Sequence, residues 1–163
     1  MSHPNSAVND IPEGQNYDAW RLPKYSREQS RSLAAEEQLG YLCSIAHLAP
    51  STHNTQPWKF ATDATTNSII IYLDRNYVLP ASDVVGRQTM ISLGCAVEHI
   101  SIAAAALGIN INIESKNLDP KLLLPAVDPD PRYVPIVSIK VMAQKNFLKK
   151  SAPELFNALF TRK

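Results

Sequence analysis

The sequence predicts an α+β fold in which helices flank a small mixed or antiparallel sheet and one long helix is central. The β-branched run Ile69–Ile71 lies in the second of two strand-like stretches joined by a turn. Apolar residues then recur at helical spacing up to about Leu107, over a longer range than in any other helical pattern of the chain. Helices and strands mixed in this way, with one helix much longer than the rest, indicate an α+β architecture.

Composition limits the classes of protein to consider. The chain has 163 residues, which suits one domain, and its formal net charge is +1, so no general attraction to nucleic acid or anionic membranes follows. Its five glycines form neither a GxGxxG motif nor a P-loop. Cys43 and Cys95 lie in apolar helical patterns and are expected to be buried thiols. Since the N-terminus lacks an apolar leader segment, the sequence predicts a cytoplasmic protein.

The first half of the chain is predicted to contain one helix and a hairpin. Residues 1–30 are expected to form a flexible N-terminal arm, and residues 31–163 the domain. A helix is predicted from Ser32, as its N-cap, to Leu48, and Ala49-Pro50 ends it because the residue before proline leaves the α region. Strands at 58–62 and 68–74, joined by a turn at 63–67, are expected to pair.

The second half begins with the long helix. Asp83 is expected to cap that helix, and Gly108 to end it. Short strands are predicted at 109–113 and 135–142. A short helix at about 120–124 and an amphipathic helix from about Ser151 complete the expected elements.

The stretch between the first helix and the first strand, Leu48–Phe60, is unusually rich in polar side chains. It combines hydroxyl groups, two amides and an imidazole between proline-constrained positions. A loop that only reverses the chain needs two to six residues with turn formers. If this stretch is extended, Asn54 and Gln56 point to the same face. Paired amides both donate and accept hydrogen bonds, which suits the edge of an uncharged heterocycle.

Ordinary structural roles compete with functional ones for several residues. Asp83 and Arg87 have the spacing of a helical ion pair, although Arg87 would alternatively point into a site with Asp83 holding it. Trp58 would serve as core at the start of a strand. The histidines lack the spacing of metal ligands, so no metal site is predicted. A hydrolase triad of Ser51, His53 and Asp83 is disfavoured because the chain has no GxSxG elbow.

One motif resembles a known family. The segment 49–60, which reads APSTHNTQPWKF, is similar to the APSxxNxQPWxF signature of nitroreductase-like FMN flavoproteins. A second similar stretch follows in the right order; it comprises Asp74-Arg75, Leu79-Pro80, Asp83, Arg87 and Ile91–Ala96. The resemblance extends over about residues 35–142 and is greatest to the N-terminal half of a double-length branch of FMN-binding oxidoreductases.

The resemblance implies a flavin enzyme. FMN would lie at the interface of a homodimer, or of a pairing with a second nitroreductase-like half. It would accept hydride from NAD(P)H and reduce a nitroaromatic, quinone or related small molecule, without a catalytic residue from the protein. Residues carried over as cofactor-binding are Pro50, Ser51, Thr52 and Asn54 at the flavin, Gln56, together with Trp58, in support of the loop, and Arg87 at the site wall.

The sequence departs from the family pattern at the residues that would bind the FMN phosphate. Residues 26–31, SREQSR, do not reproduce the Arg-Ser-x-Arg-like motif. Residues 158–163 resemble the start of an Arg-rich motif that follows the first half in the double-length branch, with Arg162 as its basic residue. The domain is therefore expected to be incomplete at its C-terminus. The alternative reading is a non-catalytic, truncated or degenerate member that sequesters flavin or pairs with another subunit.

Overall fold

The computed structural model describes residues 22–116 and 131–142. Three helices, α1 (Arg27–Ser32), α2 (Ala35–Ala46) and α3 (Arg87–Leu107), pack with a four-stranded sheet. Its strands are β1 (Trp58–Asp63), β2 (Ser68–Asp74), β3 (Asn110–Ser115) and β4 (Tyr133–Met142), in the order β1-β2-β4-β3. All three neighbouring pairs are antiparallel. The predicted α+β class, with a small sheet and one long helix, is confirmed.

The first predicted helix is wrong in its boundaries, because the chain forms two helices there. Ser26 caps α1 through a capping box with Gln29, and α2 begins only at Ala35. Ser32, the expected N-cap, ends α1 instead, and its hydroxyl donates to the Glu28 carbonyl (3.2 Å). The polar α1 buries only Ser30, so it has no apolar periodicity to reveal it.

Part of the expected N-terminal arm packs on the domain. The Tyr25 ring meets the Tyr41 ring edge-on at 4.8 Å, and the Tyr41 hydroxyl donates to the Pro23 carbonyl (2.7 Å). Helix α1 crosses the predicted boundary at residue 30, and its Arg27 donates to the Ala106 carbonyl at the end of α3 (2.9 Å). Residues 1–21 lie outside the described part, so a flexible arm there stays a prediction.

The hairpin and the last strand follow the prediction closely. β1 and β2 pair in register from Trp58 opposite Leu73 to Asp63 opposite Ser68. β4 is longer than predicted and carries a bulge between Pro135 and Val137. Proline cannot donate to a ladder, and a bulge is one of the few places where a sheet interior tolerates it. The helices predicted at 120–124 and from about Ser151 lie outside the described residues.

Helix α3 forms much of the core. By length and composition alone it would pass as a membrane span, a test that core helices of globular domains also pass. Its buried residues, which include Leu93, Ile100 and Leu107, join one cluster with α2 and the inner face of the sheet. Both cysteines are free thiols as expected: Cys43 is buried and Cys95 half-buried. Burial raises the pKa of the Cys43 thiol to about 12.

A polar cluster of the buried Asp74 and Arg75 with the exposed Arg132 joins the end of β2 to the start of β4. The Asp74 carboxylate accepts two hydrogen bonds from the Arg132 guanidinium, both 2.8 Å. Those bonds hold the pKa of Asp74 below its usual value against the opposing effect of burial. Arg75 is buried and donates to the Pro131 carbonyl (3.2 Å). Since the Asp74 backbone N–H also donates to the Pro57 carbonyl (2.9 Å), this cluster fixes the exit of the polar loop.

Candidate functional site

The polar loop predicted as a binding site lies between α2 and β1, and we call residues 48–57 the site loop. Its centre is a 3₁₀ turn, Thr52–Asn54, rather than extended chain. The side chains of His53, Asn54 and Gln56 are exposed, whereas Pro57 is buried. The turn forms because the Asn54 backbone N–H reaches the Ser51 carbonyl (3.0 Å). The loop therefore presents its polar side chains to solvent from a folded turn.

Backbone strain is concentrated in the site loop. His53, Asn54 and Gln56 have φ of 51°, 54° and 47°, and among the described non-glycine residues only Asn67 shares a positive φ. The left-handed region costs roughly 1–2 kcal/mol for residues with a Cβ, although Asn tolerates it better. Strain of this kind persists where surrounding bonds enforce it, and it clusters at ligand sites.

Two hydroxyl groups enforce the shape of the loop from inside. The Ser51 Oγ accepts from the Gln56 backbone N–H (2.9 Å), and the Thr55 hydroxyl donates to the Thr52 carbonyl (3.0 Å). The first bond closes a ring that spans the six residues 51–56 and encloses the 3₁₀ turn. Ser51 therefore has a structural duty in addition to any contact with a ligand.

The Asn54 and Gln56 side chains lie together as predicted, but the reason given for that prediction is wrong. Extended alternation does not apply, because Asn54 and Gln56 both have left-handed backbones. The two side chains nevertheless lie together, with Gln56 Nε2 3.5 Å from Asn54 Oδ1. At that distance the mutual hydrogen bond is weak. Both amides thus keep donor and acceptor capacity for another molecule.

A single serine connects the site loop to the long helix. The Thr52 backbone N–H donates to Ser92 Oγ (3.1 Å), and the Ser92 hydroxyl donates to the Gln88 carbonyl one turn earlier (2.9 Å). Ser92 is buried, so this bond is shielded from water. Ser92 lies within the second stretch that resembles the family, but the sequence predicts no role for it. No local signal could identify its partner, which is 40 residues away.

The Asp83 carboxylate bonds to the first turn of α3 and not to the Arg87 side chain. Its carboxylate accepts from the backbone N–H groups of Gln88 (3.0 Å) and Thr89 (2.8 Å), and from the Thr89 hydroxyl (2.8 Å). Burial raises the pKa of Asp83, but these hydrogen bonds outweigh it and the net pKa lies below the usual value. The N-cap residue of α3 is Gly86, in the left-handed region, and not Asp83 as predicted. The Asp83 carboxylate nevertheless caps N–H groups of the first turn, which begins at Arg87.

Arg87 is exposed at the first position of α3. The predicted ion pair with Asp83 is wrong, because Asp83 precedes the helix and its carboxylate accepts hydrogen bonds from backbone N–H groups. Arg87 lies five residues before Ser92, which corresponds to roughly 7.5 Å along the helix axis. The helix that holds the loop therefore also carries this cation. Arg162 lies outside the described residues.

The hydrolase and metal alternatives find no support in the described part of the chain. Within it, no hydrogen bond links His53 to Ser51 or Asp83, and the Asp83 carboxylate is engaged at α3. No group of three or more His, Cys, Asp or Glu residues in those same ranges could hold a metal ion. Trp58 is buried, as predicted for a core residue at the start of a strand, and its indole N–H donates to His47 Nδ1 (3.3 Å).

Comparison with known proteins gives relatives for about half of the chain. The chain is 35% identical over 88 residues to acg of Mycobacterium tuberculosis, named provisionally as an NAD(P)H nitroreductase; the match covers 53% of this chain and 26% of acg. It is 36% identical over 66 residues to PigM of Serratia sp., named in the same way, over 40% of this chain and 18% of PigM. The matched residues thus make up about a quarter or less of each relative.

Family models and solved structures add little to these sequence relatives. No family model matches the chain. A crystal structure from Clostridium acetobutylicum, described provisionally as an NADH oxidase, aligns with a TM-score of 0.49 and 16% identity over 76% of this chain and 90% of that one. The similarity of this chain to known proteins is therefore carried by its sequence relatives. They confirm the resemblance of this chain to nitroreductase-like proteins over about half of its length.

Proposed function

We propose that this chain is an FMN-binding module of a nitroreductase-type oxidoreductase. The observation that carries the proposal is the strained site loop, which presents the Asn54 and Gln56 amides to solvent and is anchored to α3 through Ser92. Nicotinamide-dependent nitroreduction is the activity named for acg and PigM. Bound flavin would supply the redox chemistry, with NAD(P)H as donor and a nitroaromatic, quinone or related molecule as acceptor.

The donor set of the site loop fits one end of FMN. Flavin rings carry N–H and C=O groups, and amides pair with both. Asn54 and Gln56 would bind that polar edge, while Ser51 and Thr52 lie closer to the loop interior, where they hold its shape. A positioned loop of this kind orients the cofactor and supplies no proton or nucleophile of its own.

The phosphate end of FMN needs cations. Arg87 is exposed on the helix that anchors the site loop, which supports a place for it at the site wall. In α1, by contrast, the Arg27 side chain is engaged with the Ala106 carbonyl. A phosphate bound by arginine gains charge-assisted hydrogen bonds, about twice as strong as neutral ones. Arg162 or a partner subunit would contribute the remaining positive charge.

Flavin titration tests the proposal. The purified chain is expected to quench the fluorescence of added FMN, and the bound flavin is expected to bleach when NADH or NADPH is added. Asn54→Ala is expected to weaken FMN binding roughly five- to tenfold, because a polar group of the ligand loses its partner. Asn76→Ala is the matched control, since Asn76 is also exposed but lies outside the site loop.

The outcomes separate the proposal from its alternative. A chain that leaves FMN fluorescence unchanged contradicts the flavin module. Binding without reduction by either nicotinamide favours the non-catalytic alternative, in which the chain sequesters flavin. Equal losses in the Asn54 and Asn76 variants would remove the site loop from the binding site.

We also propose that the chain pairs with a second copy or a second nitroreductase-like half. Just before and within the first turns of α3, Val84, Val85 and Ile91 are 69%, 74% and 59% exposed. Large apolar side chains clustered on a surface mark interaction sites. Because this patch adjoins Arg87 and the helix that anchors the site loop, pairing through it would enclose the site.

Substitution of the apolar patch tests the pairing. Val85→Asp is expected to shift the chain from dimer to monomer in sedimentation at tens of micromolar, because a buried unpaired charge is costly. Ile113→Asp is the control: Ile113 is 42% exposed but lies on β3, away from the patch. Identical sedimentation of the two variants would exclude the patch as the interface.

A cytoplasmic location stays a prediction, supported by the two free thiols.

A further inference from the structure

Two residues meet at the base of the site loop. His47 is the C-cap of α2 and Trp58 is the first residue of β1, so the whole loop lies between them in the chain. The Trp58 indole N–H donates to His47 Nδ1 at 3.3 Å. This hydrogen bond closes the loop at its two ends, independently of the Ser92 bond that holds the 3₁₀ turn.

The bond exists in only one protonation state of the imidazole. An indole N–H is a donor and never an acceptor, so His47 Nδ1 must carry a lone pair. Protonation would place a second N–H against the indole N–H, and the hydrogen bond would be lost. The Phe60 ring meets the imidazole edge-on at 4.9 Å and gives it an apolar wall on the same strand.

Two neighbouring elements place titratable side chains near the His47 imidazole. β1 places Lys59 near the imidazole, and α2 contributes the buried, un-ionised Cys43 thiol one turn earlier. Partial burial, and then the charge on Lys59, lower the pKa of His47 below its ordinary 6.5. The carbonyl end of α2 acts in the opposite direction. The net result is a pKa below 6.5, so the imidazole is neutral at pH 7.

We propose that His47 is a positioning residue for the site loop, whose neutral imidazole holds Trp58 and thereby the Asn54 and Gln56 amides in binding geometry. Protonation of His47 releases Trp58, loosens the base of the loop and weakens ligand binding. The part of this inference that concerns the ligand rests on the proposed flavin site. The part that concerns the histidine–tryptophan bond stands on the geometry alone.

Tryptophan emission tests the bond itself. The chain has two tryptophans, so the full-length Trp20→Phe variant leaves Trp58 as the only indole. Its emission is expected to change between pH 7.5 and 5, with a midpoint below 6.5, because the imidazole next to the indole becomes charged. Adding His47→Asn is expected to abolish that change, since the Asn oxygen can replace Nδ1 as acceptor without titrating.

Emission that is independent of pH, or equally dependent on pH with Asn at position 47, would overturn the proposal. Thermal unfolding followed by circular dichroism at both pH values verifies that each variant is folded. Circular dichroism also separates local release of Trp58 from global unfolding. A global transition at the same midpoint would also overturn the proposal.

Riboflavin binding tests the consequence for the site. Riboflavin is chosen because it lacks the phosphate, which titrates near pH 6 and would confuse the profile. The dissociation constant of the unmodified chain is expected to rise roughly fivefold from pH 7.5 to 5.5, as for loss of one hydrogen bond. His47→Asn is expected to bind equally at both pH values, and His47→Ala weakly at both.

The two failures are distinguishable. A pH profile in His47→Asn that matches the unmodified chain overturns the role of His47, even if flavin binds. If no variant binds riboflavin at any pH, the proposed flavin site fails and the link from His47 to ligand binding fails with it. The emission titration then decides the histidine–tryptophan bond by itself.

Discussion

Replacing Ile71 by alanine is expected to destabilise the chain by about 2–5 kcal/mol, the usual cost of a large cavity in a core. Ile71 is fully buried on β2, one of the two central strands, opposite Phe60 on β1 and Val137 on β4. Its side chain fills the space between the sheet and the helices, and the strands on both sides limit how far the cavity can collapse. Urea unfolding followed by circular dichroism measures the loss.

Ile70→Ala is the matched control for that experiment. Ile70 is the preceding residue of the same strand and points to the opposite, partly exposed face. Its replacement is expected to cost less than about 1 kcal/mol. Equal losses in the two variants would contradict the assignment of the inner face of the sheet.

Asp83→Ala is expected to destabilise the chain by roughly 2–4 kcal/mol and to weaken flavin binding as well. The substitution leaves three donors at the start of α3 without their acceptor: two backbone N–H groups and the Thr89 hydroxyl. Asp83 is only 6% exposed, so water replaces the lost acceptor poorly. Because Ser92 on α3 holds Thr52, a frayed first turn also loosens the site loop.

The acid limb of stability gives a second measurement on Asp83. Its pKa is lower in the folded chain than in the unfolded chain, so the stabilisation is complete above the unfolded value of about 3.8 and is lost as the pH falls below it. The alanine variant is therefore expected to lose less stability on acidification than the unmodified chain. Glu98→Gln, an exposed carboxylate on the same helix, is expected to change neither stability nor flavin binding. An Asp83 variant as stable as the Glu98 variant would exclude the capping role.

Elements with a strong local pattern were predictable. The alternation of buried and exposed residues along β2 and the long apolar stripe of α3 follow from periodicity, which a sequence shows directly. The proline-constrained polar loop was also visible, because its composition differs from that of an ordinary turn. Helix α1 was missed, since a short polar helix is stabilised by its capping box and its docking rather than by an apolar face.

Interactions between distant residues were not predictable. Ser92 and Thr52 are 40 residues apart, and Arg132 and Asp74 are 58 apart. The partner of Asp83 was misassigned to Arg87 because helical spacing was assumed to begin at Asp83. In the structure a left-handed Gly86 intervenes, which places the carboxylate under the helix end. Such pairings depend on how the chain folds back, and local spacing carries no information about them.

The sequence by itself determined the α+β class, the position of the site loop and the resemblance to nitroreductase-like proteins. Periodicity and composition suffice for these because each is a local property of the chain. Only the tertiary structure decided that the loop is a strained 3₁₀ turn, that α3 holds it through Ser92, and that His47 and Trp58 close its base. The physical reason is that donors and acceptors pair by proximity in space, and burial then makes those pairs strong enough to shape the backbone.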